Sequence, residues 1–341
     1  MNPNEQLPPI TERQSAAFFA FKGLAICAIV GAHIVRPSNL GNLAENVYLW
    51  RCTIAQSALL FFFASGFFYK RTRGDSRSFW SKKFKTIVVP WLIAAAITFL
   101  YFTIKNRDFS SDIVERFFKW TIGVGTYFYF MTVLVCSFVY FKIVTGAPNL
   151  WMTFALTIAS LVSMRLGIVP APNPAAFFLN PFNFFGFFAL GILARRSQRL
   201  ALLEKKRPIL YAFGILLFIA SGCARFYVND FDDEAVRQCG FLSYFIAPAG
   251  VGLIITLCAL SDLLRRSRLL RDIGKKSFVI YLYHMPIAGI VGRLLIRQNN
   301  ALAIIAAPIL VTFITYAALV LFEKVMKKIG RDSVLTYVGL R

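Results

Sequence analysis

The chain has 341 residues, of which 57% are hydrophobic and only 16% are charged, and its formal net charge is +22. An ordinary soluble domain carries about 25% charged residues, so this composition excludes a soluble enzyme, a disordered chain and a disulfide scaffold. The class that remains is an all-α polytopic membrane protein, a helix bundle that buries its apolar surface in lipid.

Ten segments are apolar over about 20 residues, the length that an α-helix needs to cross a membrane. In chain order they are 16–35, 50–69, 86–104, 121–144, 150–166, 181–194, 209–227, 241–263, 277–296 and 301–322. The sequence therefore predicts about ten transmembrane helices, and an even number places both termini on one side of the membrane. In the segment 105–120, apolar residues at helical spacing predict a short helix lying in the outer interface.

The basic residues are concentrated on one side of the predicted spans. Loops on the terminus side hold more than twice as many lysines and arginines as the opposite loops, whereas the acidic residues divide evenly. Because cytoplasmic loops are enriched in Lys and Arg, both termini are predicted to be cytoplasmic. Most of this charge then faces anionic membrane lipids rather than nucleic acid. The predicted organisation is a cytoplasmic tail (1–15), one transmembrane domain (16–322) and a second cytoplasmic tail (323–341).

The first predicted span contains Lys22 and His33, and ionisable groups inside a bilayer are costly and usually functional. On one helix these two positions differ by about 20° in direction and by about 16 Å in height, so they share a face. Lys22 either holds a phosphate-rich ligand or extends its ammonium group to the inner interface. His33 either performs acid–base work or makes a hydrogen bond between helices.

The ninth predicted span contains His284, the second of the chain's two histidines, in the run SFVIYLYHMP. Ser277 and Tyr281 fall on the same helical face as His284, seven and three residues before it. This polar stripe either lines a cavity or forms a packing network that fixes the helix register.

The sequence shows no soluble catalytic signature: it has no phosphate-binding glycine loop, no GxSxG elbow and no HExxH. Its six cysteines form no CxxC pair, and its two histidines lie far apart in the chain. Transition-metal sites need several such ligands together, so no metal is expected.

Five segments resemble, in chain order, the signature blocks of the membrane acyltransferase 3 family. The first segment (21–33) has a basic residue followed by ten residues and a histidine, here Lys22 and His33. The third segment (80–91) is usually arginine-rich in the family, and here Lys82 and Lys85 stand at the same spacing. The five segments are FKGLAICAIVGAH (21–33), LLFFFASGFFYKR (59–71), WSKKFKTIVVPW (80–91), FFGFFALGILARR (184–196) and GKKSFVIYLYHMPI (274–287).

The chain departs from the family pattern in two places. Where the family often has Trp-Phe-Leu and acidic residues, this chain reads TYFYFMTVL (126–134), which leaves the class of acceptor open. Many members also carry an esterase-like domain after the membrane domain. This chain ends soon after the tenth predicted span, so the resemblance predicts a stand-alone transmembrane enzyme.

The resemblance implies an O-acyltransferase of the bacterial cytoplasmic (inner) membrane. Such an enzyme moves an acetyl group from cytoplasmic acetyl-CoA to the hydroxyl of a carbohydrate or glycolipid at the outer face. His33 is then the general base or a transient acetyl carrier, while Tyr281 and His284 orient the acyl group or stabilise the oxyanion. The positive charges that match the phosphates of CoA are Lys22, Lys82, Lys85, Arg71 and Arg73.

Two other functions fit the composition. A transporter or flippase of a lipid-linked sugar or small anion also needs buried ionisable groups, although the two halves of the chain show no repeat of the kind common in transporters. A non-catalytic membrane scaffold predicts that both histidines are replaceable by residues of similar size. The acceptor, the acyl length and the oligomeric state are left open by the sequence.

Overall fold

The computed structural model describes residues 9–34, 58–69, 76–144, 146–165, 168, 174–196, 208–228, 243–296 and 301–340. Within these residues the chain is built from helices joined by turns, and no strand is present. The all-α class predicted from composition is therefore confirmed for the part of the chain that the structure describes.

The helices follow the apolar segments of the sequence. In chain order they are α1 (Glu12–Ile34), α2 (Ala58–Phe67), α3 (Ser76–Lys83), α4 (Val89–Asn106), α5 (Ile113–Ile122), α6 (Tyr129–Ile143), α7 (Ala147–Arg165), α8 (Pro174–Leu179), α9 (Phe182–Arg196), α10 (Pro208–Val228), α11 (Ser243–Leu264), α12 (Arg268–Ile296), α13 (Ala301–Lys328) and α14 (Asp332–Tyr337). A π-helical stretch, Phe84–Val88, joins α3 to α4 without interrupting the helix.

The described parts of the ten predicted spans are mostly helical, and the main exception lies in the span 121–144. Five helical stretches are long and apolar enough to cross a membrane: Glu12–Gly31, Arg77–Asn106, Ala147–Met164, Ala176–Arg196 and Ala306–Lys328. Four shorter apolar helices lie in α2, α6, α10 and α11. The chain is therefore a helical membrane protein, while the number of crossings and the side of the termini stay predictions.

Glycines mark the places where helix backbones approach most closely. A Cβ on Gly23 would overlap the Leu270 carbonyl, and a Cβ on Gly274 would overlap the Phe19 carbonyl, so α1 and α12 cross backbone to backbone. The same relation joins two further helix pairs, α2 with α9 and α10 with α11, through Gly66, Gly191, Gly214 and Gly252. Small residues permit such approach in membrane bundles, where van der Waals packing drives helix association.

These contacts also fix the directions of the helices around α1. Gly23 lies beside Gly274, and His33, further along α1, lies beside His284, so α1 and α12 run parallel. Helix α13 returns in the opposite direction, because its Pro308 lies beside Gly31 while its Glu323 forms an ion pair with Lys276 near the start of α12. The start of α1, the start of α12 and the end of α13 thus share one end of the bundle.

The predicted span 121–144 differs from the structure, because helix α6 begins only at Tyr129. Gly123 and Gly125 have φ values of +96° and +68°, which end α5 and produce a run of turns over residues 123–128. The predicted short helix in 105–120 is present as α5. Its Trp120 Nε1 donates to Thr98 Oγ1 at 3.3 Å, so the end of α5 packs on the middle of α4.

Candidate functional site

The two histidines of the chain meet in the interior of the bundle. The parallel crossing of α1 and α12 brings the His33 and His284 rings to a centroid distance of 5.3 Å, although 250 residues separate them in the chain. His284 is fully buried, and His33, near the end of α1, is half-buried. The structure therefore joins the two residues that the sequence singled out on separate spans.

The hydrogen bonds of His284 define its ring orientation. Its Nδ1 lies 2.7 Å from the Tyr281 carbonyl oxygen, one turn earlier on α12. Because a carbonyl only accepts, Nδ1 carries the proton, and the lone pair of the neutral ring is on Nε2. This Nε2 is buried and has no hydrogen-bond partner among the described residues. A buried polar atom without a partner is costly, so Nε2 is suited to binding a ligand atom.

Tyr127 completes this centre and was not among the site residues predicted from the sequence. Its ring centroid lies 5.2 Å from that of His284 and 6.0 Å from that of His33. Its hydroxyl donates to the Leu282 carbonyl at 2.9 Å. The signal in the sequence is the aromatic run TYFYF directly after two glycines, at the place where the chain departs from the family pattern. We call His33, Tyr127, Tyr281 and His284 the histidine centre.

Tyr281 is buried in the histidine centre and is tied to the turn before α6. Its hydroxyl donates to the Tyr127 carbonyl, and its ring packs edge-on against those of Tyr127 and Phe130. A tyrosine hydroxyl has one proton, and this one is already used. The geometry thus suits Tyr281 to holding its neighbours in place, whereas donation to an oxyanion would first require this bond to break.

Lys22 lies at the other end of the shared face of α1. It is half-buried, and its Nζ lies 5.9 Å from the centroid of the Phe19 ring, which the Nζ of Lys275 also approaches at 6.0 Å. Lys275 is paired with Asp272 at 3.1 Å. Within the part of the chain that the structure describes, no carboxylate forms an ion pair with Lys22, which leaves its charge available to an anion.

The other predicted basic residues are distributed unevenly. Lys82 and Lys85 are exposed on α3 and on the π-helical stretch, whereas Arg71 and Arg73 lie outside the described residues. Lys83 instead turns inward, with its Nζ 3.9 Å from the centroid of the Phe138 ring. Lys142 on α6 lies 4.9 Å from the ring of Phe79 on α3. Neither of these two lysines was among the site residues predicted from the sequence.

These lysines lie at one end of the bundle. Helix α4 runs parallel to α12, because Gly339 contacts both Pro90 and Phe278, while Lys105 lies beside Gly289. The start of α3 and α4 is therefore level with the start of α12. We call this group the lysine end; it consists of Lys22, Lys82, Lys83, Lys85, Lys142 and Lys275.

A further polar atom lies between the lysine end and the histidine centre. Ser277 is fully buried on α12, and its Oγ has no hydrogen-bond partner among the residues described. Seven residues of helix put it about 10 Å from His284, on the same face and nearer the lysine end.

The described ranges contain no group of three or more histidine, cysteine, aspartate or glutamate side chains placed to bind a metal ion.

A family model described as an acyltransferase domain matches residues 17–323, nearly the whole chain. No curated protein and no solved structure matches the chain. The matched range includes Lys22, His33, Tyr127, Tyr281 and His284. The chain therefore belongs to the acyltransferase 3 family.

Proposed function

We propose that the chain is an integral membrane O-acyltransferase that moves an acetyl group from cytoplasmic acetyl-CoA to a carbohydrate hydroxyl at the outer face of the bacterial inner membrane. Family membership supports acyl transfer. The observation that carries the finer proposal is the contact between His33 and His284. His33 also shares a face of α1 with Lys22, which lies at the lysine end.

The donor enters from the lysine end. Its phosphate groups meet Lys22, which has no carboxylate partner among the described residues, and the exposed Lys82 and Lys85 add positive charge at the same end. The flexible arm of the donor then bridges the distance of about 16 Å along α1 to His33. The unpartnered Oγ of Ser277 offers a hydrogen bond to an amide of this arm on the way.

The histidine centre provides the proton transfer. His33 takes the proton of the acceptor hydroxyl as the oxygen attacks the thioester carbonyl carbon, and the C–S bond breaks as the new C–O ester bond forms. The proton then passes from His33 to the leaving thiolate, which departs as free CoA. The Nε2 lone pair of His284 accepts a hydrogen bond from a second hydroxyl of the carbohydrate, which orients the reacting hydroxyl towards His33.

The first experiment is binding of acetyl-CoA to the purified chain in detergent. Lys22→Ala is compared with Lys275→Ala, a matched control that removes a cation from the same Phe19 ring but one already paired with Asp272. Loss of Lys22 is expected to weaken binding about ten- to hundredfold, the effect of losing hydrogen bonds to a charged group, and loss of Lys275 much less. His33→Ala should bind normally. Absence of saturable binding to the folded wild type would contradict the proposal.

The second experiment measures transfer of labelled acetyl groups to carbohydrate in sealed vesicles. The wild type is expected to label carbohydrate at the outer face only when acetyl-CoA is supplied at the cytoplasmic face, and His33→Ala is expected to label none. Movement of a lipid-linked sugar without any acyl donor would instead support a transporter.

A further inference from the structure

Helix α12 contains a proline inside it, Pro286, two residues after His284. In an α-helix the carbonyl of residue 282 accepts a hydrogen bond from the N–H of residue 286. Proline has no N–H, so Pro286 leaves the Leu282 carbonyl without its helical donor in the interior of the bundle. Such a carbonyl needs another donor, because a buried backbone group without a partner is costly.

The missing donor comes from outside α12. The hydroxyl of Tyr127, in the turns between α5 and α6, donates to the Leu282 carbonyl at 2.9 Å. The Tyr127 carbonyl in turn accepts from the hydroxyl of Tyr281, the residue directly before Leu282 on α12. We call these two reciprocal hydrogen bonds the tyrosine latch. The latch ties the turns at 123–128 to the middle of α12 at two points.

The latch lies directly beside His284. Its two anchor points on α12, Tyr281 and Leu282, precede His284 by three and two residues, and the Tyr281 carbonyl is also the acceptor for His284 Nδ1. The ring of Tyr127 packs edge-on against the His284 ring with 5.2 Å between centroids. A shift of Tyr127 would therefore move both the backbone that carries His284 and the aromatic wall beside its ring.

We propose that Tyr127 is a positioning residue that sets the orientation of the His284 ring through the carbonyl freed by Pro286. Only the expected effect on turnover rests on the proposed function. The effect of the latch on the orientation of the His284 ring does not depend on it. Without the hydroxyl, the Leu282 carbonyl loses its donor, α12 relaxes at Pro286, and Nε2 no longer points in one direction.

The first test reads the His284 ring directly. The chain has two histidines, so in a His33→Gln background a sample labelled with ¹⁵N only at histidine reports His284 alone by solid-state NMR. One set of ring signals with a protonated Nδ1 is expected. Tyr127→Phe should shift or split these signals, while Tyr283→Phe should not, since the Tyr283 hydroxyl has no hydrogen-bond partner among the described residues. An unchanged spectrum in Tyr127→Phe would overturn the proposal.

A rescue experiment tests the route through the carbonyl. Pro286→Ala restores an N–H for the Leu282 carbonyl, so Tyr127→Phe combined with Pro286→Ala should return the single set of signals. Tyr281→Phe removes a hydroxyl that binds a different carbonyl, that of Tyr127, and should gain nothing from Pro286→Ala. Equal effects of Tyr127→Phe with and without Pro286 would show that the carbonyl plays no part. If Pro286→Ala does not fold, the comparison of Tyr127→Phe with Tyr283→Phe still decides the matter.

The last test measures kcat for acetyl transfer. It uses variants that retain His33, because the proposed reaction requires it. Tyr127→Phe should lower kcat about ten- to hundredfold, the scale of a small misplacement of a reacting group, with the Kd for acetyl-CoA unchanged. An altered Kd with unchanged kcat would contradict a positioning role. Failure of the wild type to transfer acetyl groups would refute the proposed function and leave the NMR result on the latch intact.

Discussion

The histidine centre and the lysine end both place ionisable side chains in an apolar bundle, and they do so in opposite ways. At the centre, the hydroxyls of Tyr127 and Tyr281 and the Nδ1 of His284 are each bound to a backbone carbonyl. At the lysine end, Lys22 and Lys83 lie against phenylalanine rings, and neither forms an ion pair with a carboxylate in the described part of the chain.

This difference separates two requirements of one enzyme. Acid–base chemistry requires a fixed geometry. Backbone carbonyls of α12 and of the turn at Tyr127 provide it, because each holds one side-chain donor in place. Binding a charged donor requires a cation that is not already paired with a carboxylate, and a lysine against an aromatic ring meets this requirement. Each region can therefore be perturbed separately by substitution.

The largest effect is expected at His33. His33→Gln retains a polar group that can bond between helices but cannot take up a proton near neutral pH. Acetyl transfer should fall about 10²- to 10⁴-fold, the range for loss of a general base, while acetyl-CoA binding persists. The measurement is the initial transfer rate in vesicles with matched protein amounts. Retention of the wild-type rate would mean that His33 serves only as a hydrogen-bond partner between helices.

A smaller effect, on stability, is expected where the two regions are joined. A Cβ at Gly274 would overlap the Phe19 carbonyl, so Gly274→Ala forces α1 away from α12. Overpacking of this kind costs about 1–3 kcal/mol in the free energy of unfolding, measurable by denaturant titration in detergent. Gly289→Ala on the same helix is the control, because its Cβ would meet only the mobile end of Lys105 at 3.1 Å. Equal losses of unfolding free energy in both variants would show that the contact between α1 and α12 at Gly274 is not unusually close.

The smallest effect is expected at the exposed lysines. The double variant Lys82→Ala, Lys85→Ala should weaken acetyl-CoA binding only a few-fold at low salt, because exposed charges interact weakly through water. At physiological ionic strength and above, the effect should fade, since the screening length is about 8 Å. The loss caused by Lys22→Ala should persist at high salt. A salt-independent loss in the double variant would assign these two lysines a direct contact with the donor.

Several features followed from local properties of the sequence. Each apolar segment predicted a helix, because a chain in lipid must satisfy its backbone hydrogen bonds within the segment. The shared face of Lys22 and His33 followed from helical periodicity alone, and so did the stripe of Ser277, Tyr281 and His284. The family resemblance rested on the same short runs and agrees with the match over residues 17–323.

Other features depend on contacts between distant segments. The family resemblance predicted Lys82 and Lys85 as site residues, but the sequence did not show that both are exposed or that Lys83 lies against the Phe138 ring. The π-helical stretch that begins at Phe84 changes the residue count per turn at this point, so the helical phase assumed from an α-helix does not continue through it. Tyr127 was missed because its partners lie more than 150 residues away.

The sequence by itself determined which segments are helical, which ionisable residues lie inside them and which of these share a face. These features are local, because side-chain directions along an α-helix repeat every 3.6 residues within one segment. Only the tertiary structure decided that His33 meets His284 and that Tyr127 joins them. The backbone contact at Gly23 and Gly274 sets the first, and the carbonyl left open by Pro286 sets the second. Both depend on how segments far apart in the chain dock against α12, which no local pattern encodes.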